Sequence, residues 1–348
     1  MKLQSLNHIW LQNAELLDPV AGTRQKSDIV IKNGIIECIG KPDTSFSGKT
    51  LECKDQVITP GLIDMHVHLR EPGREDEETV ETGCAAAMAG GFTAVLAMPN
   101  TDPPCDNQQV VHFLKQKAEK ELVDVYPVGT LTKGRKGKEM TEIADLYHAG
   151  AVAFSDDGST PANSLVMRYA LEYASMYNAP VIDHCEDILL ANQGHMNEGI
   201  MSTRLGITGI PNASESVIIA RDIELARLTG SPLHIAHMST AEGVQLVRRA
   251  KQDGLPVTCE VAPHHLLFTD SDLTGFDPNL KMNPPLRTQK DVDALLEGIA
   301  DGTVDVFASD HAPHSLEEKQ VEFEAAPFGI IGLQSMLGVI LKTVVQSG

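Results

Sequence analysis

The stretch "DMHVHLREPG", residues 64–73, sets two histidines two positions apart at the end of an apolar run, with an arginine two positions further on. Further metal-ligand types close later apolar runs. "GAVAFSD" leads to Asp156 and Asp157, "APVIDHC" ends at His184, "PLHIAHM" holds His237 and "VDVFASDHA" holds Asp310. Alternate residues of a strand face one side, so His66 and His68 point the same way. Gathering so many imidazoles and carboxylates at one spot costs several kcal/mol in desolvation and repulsion unless a cation sits among them. A catalytic zinc takes about three protein ligands, so about six with one bridging carboxylate fit a pair of metals ~3.5–4 Å apart. Ligation rich in imidazole and free of thiolate favours zinc over calcium or magnesium.

These groups need a scaffold that brings the ends of distant strands together. Residues 9–58 carry short alternating segments broken by Gly, Pro and Asp, the pattern of a small antiparallel β structure. From residue 57 the pattern becomes apolar strand, loop and helix, repeated. The strands are "VITPGLIDMHVHL", "FTAVLAM", "VDVYPVG", "GAVAFSD", "APVIDHC", "PLHIAHM", "PVTCEVAPHHL" and "VDVFASDHA". Helical runs such as "TVETGCAAAMAG", "SLVMRYALEYASMYN", "SESVIIARDIELARLTG" and "TAEGVQLVRRAKQDG" lie between them, the last two closing on glycine as helices do. Eight such units over roughly 250 residues predict an α/β protein built as a (β/α)8 TIM barrel, whose active site lies at the C-terminal strand ends. The expected division is a small β-sandwich-like domain at 1–58 and a barrel at 59–348.

Composition narrows the function further. A net charge of −20 argues against nucleic acid or an anionic membrane surface as partner, and requires a local positive site for any anionic substrate. No apolar run approaches the ~20 residues of a membrane span, and "MKLQSLNHIWLQNAELL" lacks a signal-peptide core, so a cytoplasmic location is expected. The six cysteines form no CxxC pair and suggest reduced core residues. No GxGxxG follows a strand and no GxxxxGK[ST] occurs, which leaves dinucleotide and P-loop chemistry without support.

The motifs "DMHVHLREPG", "AMPNT", "FSDDG", "DHCED", "HMST", "KMNPPLR", "ASDHAPH" and "APFGIIG" together resemble the dihydroorotases of the amidohydrolase superfamily, in the bacterial class with an aspartate bridge. HxH alone would suggest only a metal-dependent hydrolase; "HVHLREPG" and "SDHAPH" are specific to the cyclic-amide branch. The resemblance implies two zinc ions per subunit, with His66, His68 and Asp310 on the first, His184 and His237 on the second, and Asp157 between them. Spacing alone leaves Asp156 and Asp157 equivalent. It further implies interconversion of N-carbamoyl-L-aspartate and L-dihydroorotate in pyrimidine biosynthesis, with Asp310 as general base and acid. His68, Arg70, Asn100, Asn283, His314, Phe328 and Gly329 match the substrate-binding positions. Arg70, on the same side as His68 while the strand persists, would offer a planar fork to the substrate carboxylate.

Hydantoinases and allantoinases bridge their metals with a carbamylated lysine after the fourth strand. "GAVAFSDDG" has no lysine, which disfavours that alternative. A second alternative is a non-catalytic relative that serves as an assembly partner; such chains lose ligands, and this one keeps every ligand the resemblance requires. Relatives are often homodimers and run some tens of residues beyond "GLQSMLGVILKTVVQSG", so a fragment is expected, lacking a final helix and the strands that complete the small domain. The other polar residues receive structural roles. His264, His265 and His311 are expected to pack at strand ends, Asp64 to support a histidine or a strand start, Asp270 and Asp272 to cap turns, and "REDEETVE" to begin a helix in solvent.

Overall fold

The computed structural model describes residues 8–42 and 46–346; residues 1–7, which the expected small domain includes, lie outside the described residues. The chain divides into two compact units, Met1–Gly61 and Leu62–Gly348.

The first unit is a mixed sheet. β1 (His8–Asp18) pairs antiparallel with β2 (Thr23–Lys32), and β2 with β3 (Ile35–Ile39). On its other edge β1 takes two parallel partners, β4 (Lys49–Glu52) and β5 (Val57–Ile58). Ala14, Leu16, Ile29 and Cys53 form its apolar centre, and the Trp10 indole donates to Asp28 at 3.0 Å. Here the sequence expectation is corrected. Val57 and Ile58 do not begin the first barrel strand but pair with Glu15 and Leu16. Pro60 has no N–H to continue a ladder, so the strand stops there.

The second unit is the eight-stranded parallel barrel that the alternation predicts. Its strands are β6 (Leu62–Val67), β7 (Phe92–Ala97), β8 (Asp124–Gly129), β9 (Ala153–Phe154) and β10 (Val181–Asp183). A two-stranded insertion, β11 (Met196–Asn197) with β12 (Gly209–Ile210), comes before β13 (Leu233–Ile235), β14 (Val257–Val261) and β15 (Val306–Phe307). Neighbours pair in the order 6-7-8-9-10-13-14-15. Past its end, the last strand meets the first through a parallel bridge between Val67 and His311, with the His68 amide donating to the His311 carbonyl at 2.9 Å.

Side-chain alternation builds two cores. Val181 joins the large cluster between strands and helices, while its neighbour Ile182 packs with Met98, Val128, Ala153 and Ala236, from adjacent strands. The four helices named from the sequence appear as Val80–Ala89, Ser164–Ser175, Asn212–Thr229 and Ala241–Gln252. Thr79, Asn163 and Thr240 cap three of their N-termini through side-chain oxygens.

Several strands are shorter than the apolar runs that predict them, because the chain turns sharply at the polar residues that follow. His237 has φ of 28° and Asp310 has φ of 48°, values that L residues seldom adopt and that concentrate where side chains must be aimed. Arg70 has φ of 59°, so its placement is also corrected. The strand ends at Val67, and a turn, rather than strand alternation, sets the direction of the arginine.

Candidate metal centre and substrate pocket

Asp157 is the centre of the constellation. Its Oδ1 lies 3.1 Å from His66 Nε2 and 3.8 Å from His237 Nε2, and its Oδ2 lies 3.6 Å from His68 Nε2. Two groups of candidate ligands result, His66 with His68 and Asp157, and Asp157 with His184 and His237, and the aspartate is common to both. Asp310 Oδ1 faces the first group, 3.2 Å from His68 Nε2 and 3.6 Å from His66 Nε2. Asp156 turns elsewhere: its carboxylate accepts the amides of Leu131 and Thr132 and the Thr132 hydroxyl. The two aspartates that spacing leaves equivalent therefore have separate environments.

The unused ring nitrogens are fixed from behind. His66 Nδ1 lies 2.7 Å from Glu260 Oε1, and His68 Nδ1 lies 2.8 Å from Asn100 Oδ1, so both rings direct Nε2 inward. His66 Nε2, Asp157 Oδ1 and Asp310 Oδ2 are buried and make no hydrogen bond. His66 Nε2 and Asp157 Oδ1 approach closely yet are not aligned as donor and acceptor; ligands that converge on a shared cation have this relation. Electrostatics agrees. Burial opposes charge on His66, but Asp157, Asp310 and Glu260 outweigh it and raise its pKa well above the usual imidazole value. Burial likewise favours neutral Asp157 and Asp310, yet the histidines hold both well below the ordinary carboxylate range. Anionic acids facing imidazole nitrogens fit a divalent cation, and these buried clusters are able to hold one.

Residues 55–243 match the family model described as Dihydro-orotase-like. A dihydroorotase of Pelotomaculum thermopropionicum is 50% identical over 338 residues, an alignment that spans 97% of this chain and 79% of that one. A dihydroorotase of Endomicrobium trichonymphae is 49% identical over 341 residues, which span 97% and 80% of the two chains. The chain belongs to the dihydroorotase family. Among solved structures, L-hydantoinase (dihydropyrimidinase) from Arthrobacter aurescens superposes with a TM-score of 0.86 at 24% identity, over 98% of this chain and 78% of that one. At that identity the likeness establishes the shared barrel fold.

In this member of the dihydroorotase family a cavity of about 210 Å³ opens beside the ligand groups. His68, Asp157, His184, His237 and Asp310 line it, as do Arg70, Asn100, Asn283, His314 and Phe328; His66 is too deeply buried to do so. Gly329 lies just behind, at φ of 154°, and a Cβ there would come within 2.9 Å of His314 Nε2 and collide with the Ala312 carbonyl. Gly329→Ala should therefore displace His314 and raise KM by roughly tenfold, read from steady-state kinetics, and the clash with backbone should lower the thermal midpoint as well.

Two participants escaped the sequence reading. Glu77, in the acidic run expected to face solvent, turns inward with only 2% of its side chain exposed. It holds Arg70 Nε at 3.2 Å and His314 Nδ1 at 2.7 Å. Glu78 turns in as well, to His311 at 3.1 Å. Those acids belong to a turn before the helix, not to its exposed face. Glu260 sits mid-strand in β14 and is wholly buried; it takes His66 Nδ1, the His237 amide at 3.1 Å and His234 Nε2 at 3.2 Å. An acid between apolar neighbours in "VTCEV" was the one available signal. Glu260→Gln is expected to weaken divalent-metal affinity by roughly 10–100-fold, measured by competition with a chelator.

Proposed function

We propose that this chain is a zinc-dependent dihydroorotase that interconverts N-carbamoyl-L-aspartate and L-dihydroorotate in pyrimidine biosynthesis. The observation that carries the reading is the sharing of Asp157 between two ligand groups beside a cavity that also presents Arg70 and His314. His66, His68 and Asp310 would hold one zinc and His184 and His237 the other, with Asp157 between them. When bound, such a pair activates water as the nucleophile and polarises the ring carbonyl.

The chain's own residues position the substrate and move protons. In hydrolysis the ring C–N bond breaks as a C–O bond forms, and the proton given up by water must reach the leaving nitrogen. Asp310 carries that proton: Oδ1 faces His68 while Oδ2, without a partner, is placed to receive and return it. In ring closure the transfers reverse. Arg70, Asn100 and His314 hold the substrate carboxylate; the Asn100 carbonyl is taken by His68, which leaves its amide N–H groups for the ligand. Asn283 reaches the cavity while donating to Glu186 at 3.2 Å, and Phe328 and Gly329 complete the pocket with His68.

We further read residues 1–58 as a small β domain and residues 59–348 as the hydrolase barrel. The protein is taken to work in the cytoplasm, without nucleic acid, as a homodimer. The charge of −20 supports the reading without nucleic acid, and no helix of the described residues is long and apolar enough to cross a membrane. Leu165, Tyr169, Tyr173 and Met176 are exposed at four-, four- and three-residue spacing and support the dimer, which sedimentation velocity would test.

The deciding experiment is hydrolysis of L-dihydroorotate by the zinc-loaded chain, followed by ring-amide absorbance, with hydantoin and allantoin in parallel and bound metal counted by mass spectrometry. Turnover of L-dihydroorotate alone, with two metals bound, is expected. A folded, metal-loaded chain that turns over none of the three would overturn the reading.

A further inference from the structure

Lys281 opens "KMNPPLR", the stretch that also brings Asn283 to the cavity, and it is one of the largest side chains shielded from solvent. A buried ammonium needs acceptors for all three N–H groups. Lys281 Nζ finds the carbonyls of Phe323 at 2.9 Å and Glu324 at 2.8 Å, and His195 Nδ1 at 3.1 Å. The charge also lies 4.8 Å from the centre of the Phe328 ring and 5.4 Å from that of Phe323. His195 stacks on Phe328, and its pKa is lowered by burial and by the lysine charge, which suits its role as an acceptor.

This arrangement is kept against a cost. Burial pushes the pKa of Lys281 down to about 8, with Glu324 pulling the other way, so the fold would bury an apolar side chain of this length more easily. The lysine does something an apolar residue cannot: it ties together segments distant in sequence. Its own carbonyl accepts the Gly329 amide at 2.9 Å. Nearby, Lys319 Nζ donates to the carbonyls of Pro278 at 3.1 Å and Pro327 at 2.9 Å. Residues 278–283 are thus joined to 319–329, the segment that presents Phe328. The Phe328 carbonyl in turn lies 2.8 Å from His314 Nε2.

We propose that Lys281 is a positioning residue for the substrate, locking the 323–329 segment so that Phe328 and His314 close on the ligand. The proposal rests on the dihydroorotase reading and takes no part in the chemical step. Lys281→Met in the metal-loaded protein should raise KM for L-dihydroorotate about tenfold or more, with kcat within about threefold of wild type. Its thermal midpoint should not rise, because removing the desolvated charge also leaves the Phe323 and Glu324 carbonyls without their donor. Hydrogen exchange at the Gly329 amide should accelerate about tenfold while the barrel strands stay protected. Lys319→Met, a more peripheral change, should raise KM about threefold and decides the matter if K281M does not fold. A KM within twofold of wild type in the folded variants, or kcat falling in step with KM, would overturn the proposal. Absence of turnover in the wild type would instead sink the functional reading, and the exchange comparison would still report on the lock.

Discussion

Asp310→Asn is expected to lower kcat for L-dihydroorotate by roughly 10³–10⁴-fold, in both directions of the reaction. The amide keeps the shape of the side chain and can still face the histidines, but it cannot take up and return a proton. The surroundings of Asp310 show why the loss should be large. Burial would favour the neutral acid, and the charges of His66, His237 and His68, with the hydrogen bond to His68, reverse that preference, so a carboxylate stands beside the cavity. Steady-state kinetics on protein of verified metal content is the check. A variant that retains its metals and loses less than about tenfold in kcat would move the proton to another group.

The second large effect separates two adjacent aspartates. Asp157→Ala should abolish activity and reduce the amount of divalent metal bound, because both ligand groups lose their common member. In the metal-free protein its removal strands no backbone amide, but His66 loses one of the three carboxylates that favour its charge, so some destabilisation is expected. Asp156→Ala should do the reverse. It leaves the buried amides of Leu131 and Thr132 without their acceptor, at about 1–3 kcal/mol for each stranded group, while the bound metal is retained. Thermal unfolding of the metal-free proteins and metal analysis of the loaded ones read the two effects separately. Equal metal loss in both variants would show that the pair acts as one unit.

The scaffold residues extend the same logic to the rest of the pocket. Glu77 connects Arg70 with His314, Glu260 fixes His66, and Lys281 joins the segments that carry Asn283 and Phe328. Each is an ionisable group, strongly shielded from solvent, that touches another residue of the site.

The barrel, and the chemical types of the candidate ligands, could be read in the sequence because both are local properties. Apolar runs of strand length, glycines just past helix ends, and His or Asp closing each run depend on neighbours a few positions away. The candidate metal ligands lie where strands end, and a barrel brings those ends together whatever the intervening loops contain. What only the tertiary structure decided were matters of partner and direction. Asp157 and Asp156 are neighbours in the chain, but only one turns to the histidines, and the other is captured by amides about 25 residues away. Glu260 meets His66 across 194 positions, and no pattern in either segment announces the other. Arg70 is aimed by a left-handed turn, and Glu77 is drawn inward by Arg70 and His314, against the expectation that an acidic run faces water. Burial and pairing energies depend on distances in space, which a one-dimensional pattern does not contain. The sequence determined which groups could do the chemistry, and packing selected the few that face one another.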